Sequence, residues 1–204
     1  MNREKIISAL SKWNELRFDS AKIIKRLEDG NCFAFSPSDF DDESQYIHAY
    51  PGIHDNWFTF FLIPAKYDTP DYRETFNQYV TVCPTIWNLS SGRIPDFIAR
   101  ERMHRWNTHY KTWAKKQIDD TADGIFQVFM INREDFEVQE CQVNLALRED
   151  AVDPLANAIA DMIVTNKTDT EVFYDDFSQP APPFTTPAAV SQSFFLLELA
   201  LVTE

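Results

Sequence analysis

The chain has 204 residues, 44 % hydrophobic and 14 % aromatic, with only four glycines and a net charge of −13. That composition excludes a disordered or collagen-like chain. So acidic a balance argues against nucleic acid or an anionic membrane as partner, because phosphate contact needs a dominant positive face. The longest apolar runs, residues 57–65 and 194–202, are about half what a bilayer-spanning helix needs.

Residues 1–16 mix charged with apolar positions and contain no continuous apolar core or small-residue cleavage site, so no signal peptide is expected. Ile6, Ile7, Leu10, Trp13 and Leu16 recur at helical spacing. Asp19 or Ser20 then offers a helix N-cap, Ile23, Ile24 and Leu27 form an apolar stripe, and Gly30 stands where a C-terminal cap belongs. Two N-terminal helices are expected. A short strand at 32–35 follows, then a polar acidic loop at 36–44.

Residues 45–50 and 57–63 read as strands. The second is apolar on both faces, the pattern of a central strand covered on both sides, and Pro64 ends it. Tyr50-Pro51-Gly52-Ile53 suits a type II turn. If that turn closes a hairpin, His48 lies opposite Asp55, and a carboxylate beside an imidazole makes a general base. His48 and Asp55 are therefore the candidate catalytic pair, in a cleft near Tyr46, Tyr50 and Trp57. Residues 79–83 read as a further strand stopped by Pro84.

Residues 93–116 reverse the sign of the chain, with seven Lys/Arg against two acids. Residues 95–118 read as one long helix. Ala99, Met103, Trp106, Tyr110 and Trp113 follow a 4-3-4-3 spacing that places them on one stripe, suited to docking on a sheet. Arg102, Arg105 and Lys111 fall elsewhere around the wheel and must meet something negative, either this chain's own body or a partner. Trp106 and Trp113 are also candidate stacking platforms for a planar or sugar-like ligand. His104 and His109 diverge by about 140° on such a helix, so they cannot grip one ion.

Residues 125–131 and 136–147 read as a hairpin around a turn at 132–135. Asp153-Pro154 reads as a helix start, with Leu155, Ile159, Met162 and Ile163 as its apolar positions. The four prolines between 178 and 187 mark an extended connection. Residues 194–202 read as a final buried strand, with Glu198 either a lone solvent-facing position or a buried acid.

Together these elements predict one α+β domain over residues 1–204. It has a mainly antiparallel sheet, with hairpins and a C-terminal strand, packed by the N-terminal helices and one long central helix. Cys32, Cys83 and Cys141 are expected as buried, reduced thiols. No glycine-rich phosphate loop, nucleophile elbow or zinc spacing occurs, so no cofactor and no metal is expected. The leading expectation is a cytoplasmic, non-catalytic module. It would bind another protein or a second copy of itself, as a homodimer, through Arg102, Arg105, Lys111, Trp106 and Trp113. The alternatives are a small hydrolase or isomerase using His48 and Asp55, and a binder of planar or sugar-like ligands.

Overall fold

A computed structural model describes residues 1–40, 44–87, 97–122, 124–149, 158–170, 172–175, 178–181 and 194–201. Among them are four α-helices and nine strands. The helices are α1 (Arg3–Leu16), α2 (Ser20–Leu27), α3 (Phe97–Asp120) and α4 (Phe195–Leu201). The strands are β1 (Cys32–Phe35), β2 (Tyr46–His54), β3 (Trp57–Pro64), β4 (Thr81–Pro84), β5 (Val128–Asn132), β6 (Cys141–Arg148), β7 (Ile159–Lys167), β8 (Val172–Asp175) and β9 (Ser178–Ala181). All strand pairing is antiparallel, in a five-stranded sheet of order β4-β3-β2-β5-β9 and a four-stranded sheet of order β1-β6-β7-β8. The fold is α+β.

The two sheets face each other across an aromatic core. Phe58, Phe60, Leu62, Phe129 and Ile131 from the larger sheet meet Phe33, Phe35, Val143, Leu145 and Met162 from the smaller one. The opposite face of the larger sheet, with Tyr50, Phe61, Ile63 and Val128, is covered by Ile6, Ala9 and Leu10 of α1 and by Leu196 and Ala200 of α4. This double covering is why β3 is apolar at nearly every position. Alpha-helix α1 comes so close to β2 that a Cβ on Gly52 would lie 3.2 Å from the backbone of Ala9 and 2.7 Å from the Phe61 ring. Gly52 is there for space.

The sheets are also stitched at one edge. Ile86 donates its N–H to Cys32 O (2.8 Å) and accepts from Asn31 and Cys32, extending β4's strand onto β1. Gly30 lies under this stitch, where a Cβ would sit 2.6 Å from Ile86 N. Its role is this close approach, since α2 is capped at Glu28. At the helix's other end Asp19 accepts from Lys22 N–H at 3.0 Å, the N-cap the sequence suggests.

The long helix docks as its spacing requires. Ala99, Trp106 and Tyr110 are buried, Met103 and Trp113 half-buried, and Ala114 and Ile118 continue the stripe.

Other expectations need correction. Residues 125–131 and 136–147 form no hairpin, because β5 pairs with β2 and β9 while β6 pairs with β1 and β7. The 3-10 turn Arg133–Asp135 carries the chain from one sheet to the other. Ile159, Met162 and Ile163 belong to strand β7; the proposed helix start at Asp153-Pro154 lies outside the described residues. Alternate burial of Met162 and Ile163 on opposite faces makes the segment apolar all round, which a helical reading also fits. Residues 195–201 are helical rather than a strand, and Glu198 is exposed. Of the proline-rich connection, 178–181 is strand β9 and 182–187 lies outside the described residues.

Candidate functional site

The hairpin β2–β3 decides the fate of the His48/Asp55 pair. Tyr50-Pro51-Gly52-Ile53 is not a turn: β2 runs straight through it to His54, and the chain reverses at Asp55 and Asn56, with φ of 49° and 64°. Both values lie in the left-handed region that a two-residue hairpin turn requires and that Asp and Asn tolerate. This register sets His48 opposite Ile63. Asp55 sits at the exposed tip, 3.4 Å from His54 and seven residues along the hairpin from His48. The structure does not bring His48 and Asp55 together.

What His48 meets is Asp68. Its Nδ1 and Asp68 Oδ2 lie 2.7 Å apart. Tyr50 O–H donates to the same oxygen, and the N–H of Leu196, in α4, donates to Asp68 Oδ1 at 2.9 Å. His48 and Asp68 have no solvent exposure and Tyr50 has 1 %. Alternation along β2 puts His48 and Tyr50 on one face, and the turn after Pro64 delivers Asp68 above them. A buried carboxylate needs such donors, and this one has three. Burial, then the Asp68 carboxylate beside it, pushes the Tyr50 hydroxyl well above its ordinary value, so it stays a donor.

His48 Nε2 is buried and makes no hydrogen bond among the described residues; the Phe194 ring packs against the imidazole with centroids 4.7 Å apart. Chemically the group is a preformed His–Asp dyad with a free ring nitrogen, sealed under α4. Two open concavities lie elsewhere. One of about 280 Å³ between α1 and the hairpin tip is lined by Lys5, Ser8, Lys12 and His54, and a shallower one of about 630 Å³ by Phe40, Arg133, Phe136 and Val138. Neither reaches His48.

The cations of α3 turn to their own chain. Arg102 reaches Asp161, itself fully buried, at 3.2 Å. Arg105 bridges Glu101 and Glu149, each at 2.8 Å. Lys111 pairs with Glu28 and Lys115 with Asp119. Trp106 is fully buried, and Trp113 is half-buried with its indole N–H donated to Ala158 O at 2.6 Å. Of the expected binding set, Trp106 and Trp113 dock α3, and Arg102, Arg105 and Lys111 pair with carboxylates of the same chain, of which Asp161 is buried and Glu101, Glu149 and Glu28 are about half exposed. His104 and His109 are exposed on the same helix.

Three exposed apolar side chains gather at the far end of the larger sheet; Phe18, Phe97, Ile98 and Leu201 are exposed as well. Trp57 is 45 %, Ile86 50 % and Trp87 42 % exposed. Continuing the register from Thr59↔Pro84 sets Trp57 opposite Ile86. Trp57 donates its indole N–H to Thr85 O (2.9 Å) and Trp87 donates to Glu28 O (2.7 Å), so both rings are held in place. Sequence reasoning set Trp57 beside the His48 cleft and did not single out Ile86 and Trp87, because an exposed and a buried Trp look alike in a mixed apolar run.

Among the described residues no three His, Cys, Asp or Glu gather to hold a metal ion, and no helix is long and apolar enough to cross a membrane. Searches of protein families, curated proteins and solved structures find no match to the chain.

Proposed function

We propose that the chain is a non-catalytic protein-binding module that self-associates through Trp57, Ile86 and Trp87. The observation that carries this reading is the grouping of those three large apolar side chains at one end of the β4–β3 pair, each more than two-fifths exposed. Tryptophan dominates interface energetics, and rings already fixed by hydrogen bonds lose little rotamer freedom on binding. Arg26, Glu28 and Lys111 provide a charged rim around the end of α2.

Strand addition at β4 is disfavoured as the mode of contact. Ile86 turns its N–H and C=O outward to β1; Pro84, two residues earlier on that same outer edge, has no N–H to offer. Side-chain faces are the better contact. A catalytic role for His48 is disfavoured by its complete burial. Three buried, free cysteines suit the reducing cytoplasm, where we place the protein.

Light scattering over a range of protein concentrations tests the reading. Wild type rises in mass with concentration, and the Trp57→Ser, Ile86→Ser double variant rises less at every concentration, with unchanged circular dichroism. A wild type that remains monomeric throughout contradicts it.

A further inference from the structure

Alpha-helix α4 has seven residues, too few to be stable as an isolated helix. Its conformation therefore depends on the surface that receives it. That surface is built wholly by other elements: Ile6 and Leu10 of α1, Tyr50 and His48 of β2, Ile63 of β3, and Asp68. Two polar contacts read the backbone of the docked segment. Asp68 accepts Leu196 N–H, and Ser11 O–H donates to Ala200 O at 2.9 Å. A third feature reads a side chain, since the Phe194 ring lies on the imidazole of His48. A short element that is not stable alone opens before the sheet it packs on. His48 and Tyr50 are carried by β2 and Ile63 by β3, and Asp68 by the 3-10 turn Ala65–Tyr67 that follows β3, so none of these positions belongs to α4 itself.

From this we infer that the seat of α4 is a peptide-binding site, filled in cis by residues 194–201 and filled in trans by the same segment of a second copy. The occupant follows from fit. The site takes an aromatic ring over His48, an N–H at Asp68 two residues later, and a small residue beside Ser11, and this chain supplies all three at Phe194, Leu196 and Ala200. Exchange of an identical element preserves every contact, so it costs little beyond association. The inference goes beyond self-association through the tryptophans and concerns a different region of the molecule.

The test uses a fluorescent synthetic peptide with the sequence of residues 191–204, titrated into the full chain and followed by anisotropy. The cis segment competes with it, so loosening that segment tightens peptide binding. Leu196→Ala should bind the peptide about tenfold more tightly than wild type does, because the open fraction scales the apparent affinity. Ser11→Ala, which lies outside α4, should tighten it by a smaller factor and serves if Leu196→Ala does not fold. A peptide with proline at the position of Leu196 should bind at least about tenfold more weakly than one with alanine there. Both lack the leucine side chain and proline is tolerated in a first helical turn, so that difference reports the N–H taken by Asp68. Absence of saturable binding to the loosened variants, or equal binding of the proline and alanine peptides, overturns the proposal.

In the concentrated Trp57→Ser, Ile86→Ser variant, where the tryptophan contact is absent, excess peptide should also lower the mass toward the monomer. Peptide binding without that change removes the second copy as occupant. The Trp57→Ser, Ile86→Ser variant should keep its peptide affinity, which separates failure here from failure of the tryptophan contact.

Discussion

Two sets of ionisable groups hold this molecule together, and they differ in what surrounds them. On α3, Arg105 lies between Glu101 and Glu149, carboxylates whose side chains are about half exposed. Under α4, Asp68 collects His48, Tyr50 and the Leu196 N–H, each residue at most 1 % exposed. Water screens the first set and competes for its partners, so each pair contributes little. The second is cut off from bulk solvent, and losing one member strands the others. The conspicuous charge block of the sequence is therefore the weaker device, and three residues with no motif around them are the stronger one.

Breaking the second set should cost most. Asp68→Ala leaves a buried imidazole, a buried hydroxyl and an amide without their acceptor, and should lower unfolding free energy by about 3–5 kcal/mol in urea titration. A loss below about 1 kcal/mol would mean that the carboxylate is not the hub described here. Tyr50→Phe removes one donor to a charged group, and a loss of about 1.5–3 kcal/mol is expected. It also sharpens the comparison through pH. Tyr50 has a raised folded-state value, so its contribution is complete below the unfolded tyrosine value of about 10 and falls as pH rises through the folded value. Wild type should thus lose stability above about pH 10 more steeply than Tyr50→Phe; equal slopes would contradict the assignment. Arg105→Gln on α3 should change stability by less than about 1 kcal/mol, and less still at high salt.

How much of this could be read in advance varied with the kind of signal. The α3 stripe was legible because a period of 3.6 with large rings has few other solutions, and Trp106, Tyr110 and Ala99 are buried as spaced. β3 was legible because an apolar run on both faces demands a central strand. The hairpin register was not, since Pro51-Gly52 carries strong turn chemistry while Asp55-Asn56 carries an equally good and better-twisted one. Choosing the wrong turn moved His48's partner from Asp68 to Asp55. Nothing around Asp68, in Ala65-Lys66-Tyr67-Asp68-Thr69-Pro70, distinguishes it from a surface turn residue. Its burial is set by α4, which starts 127 positions later at Phe195 and whose Leu196 supplies the amide. The apolar run at 194–202 was equally open to strand or helix, because nine residues are too few for periodicity to decide.

The most direct measurement is amide hydrogen exchange across residues 194–201 in the full chain, compared between wild type and Asp68→Asn. Exchange in α4 should be faster than in β2 and β3, and Asp68→Asn should accelerate α4 about tenfold or more while leaving the strands nearly unchanged. Protection of α4 equal to that of the central strands, or exchange in α4 indifferent to the Asp68 substitution, would contradict the account.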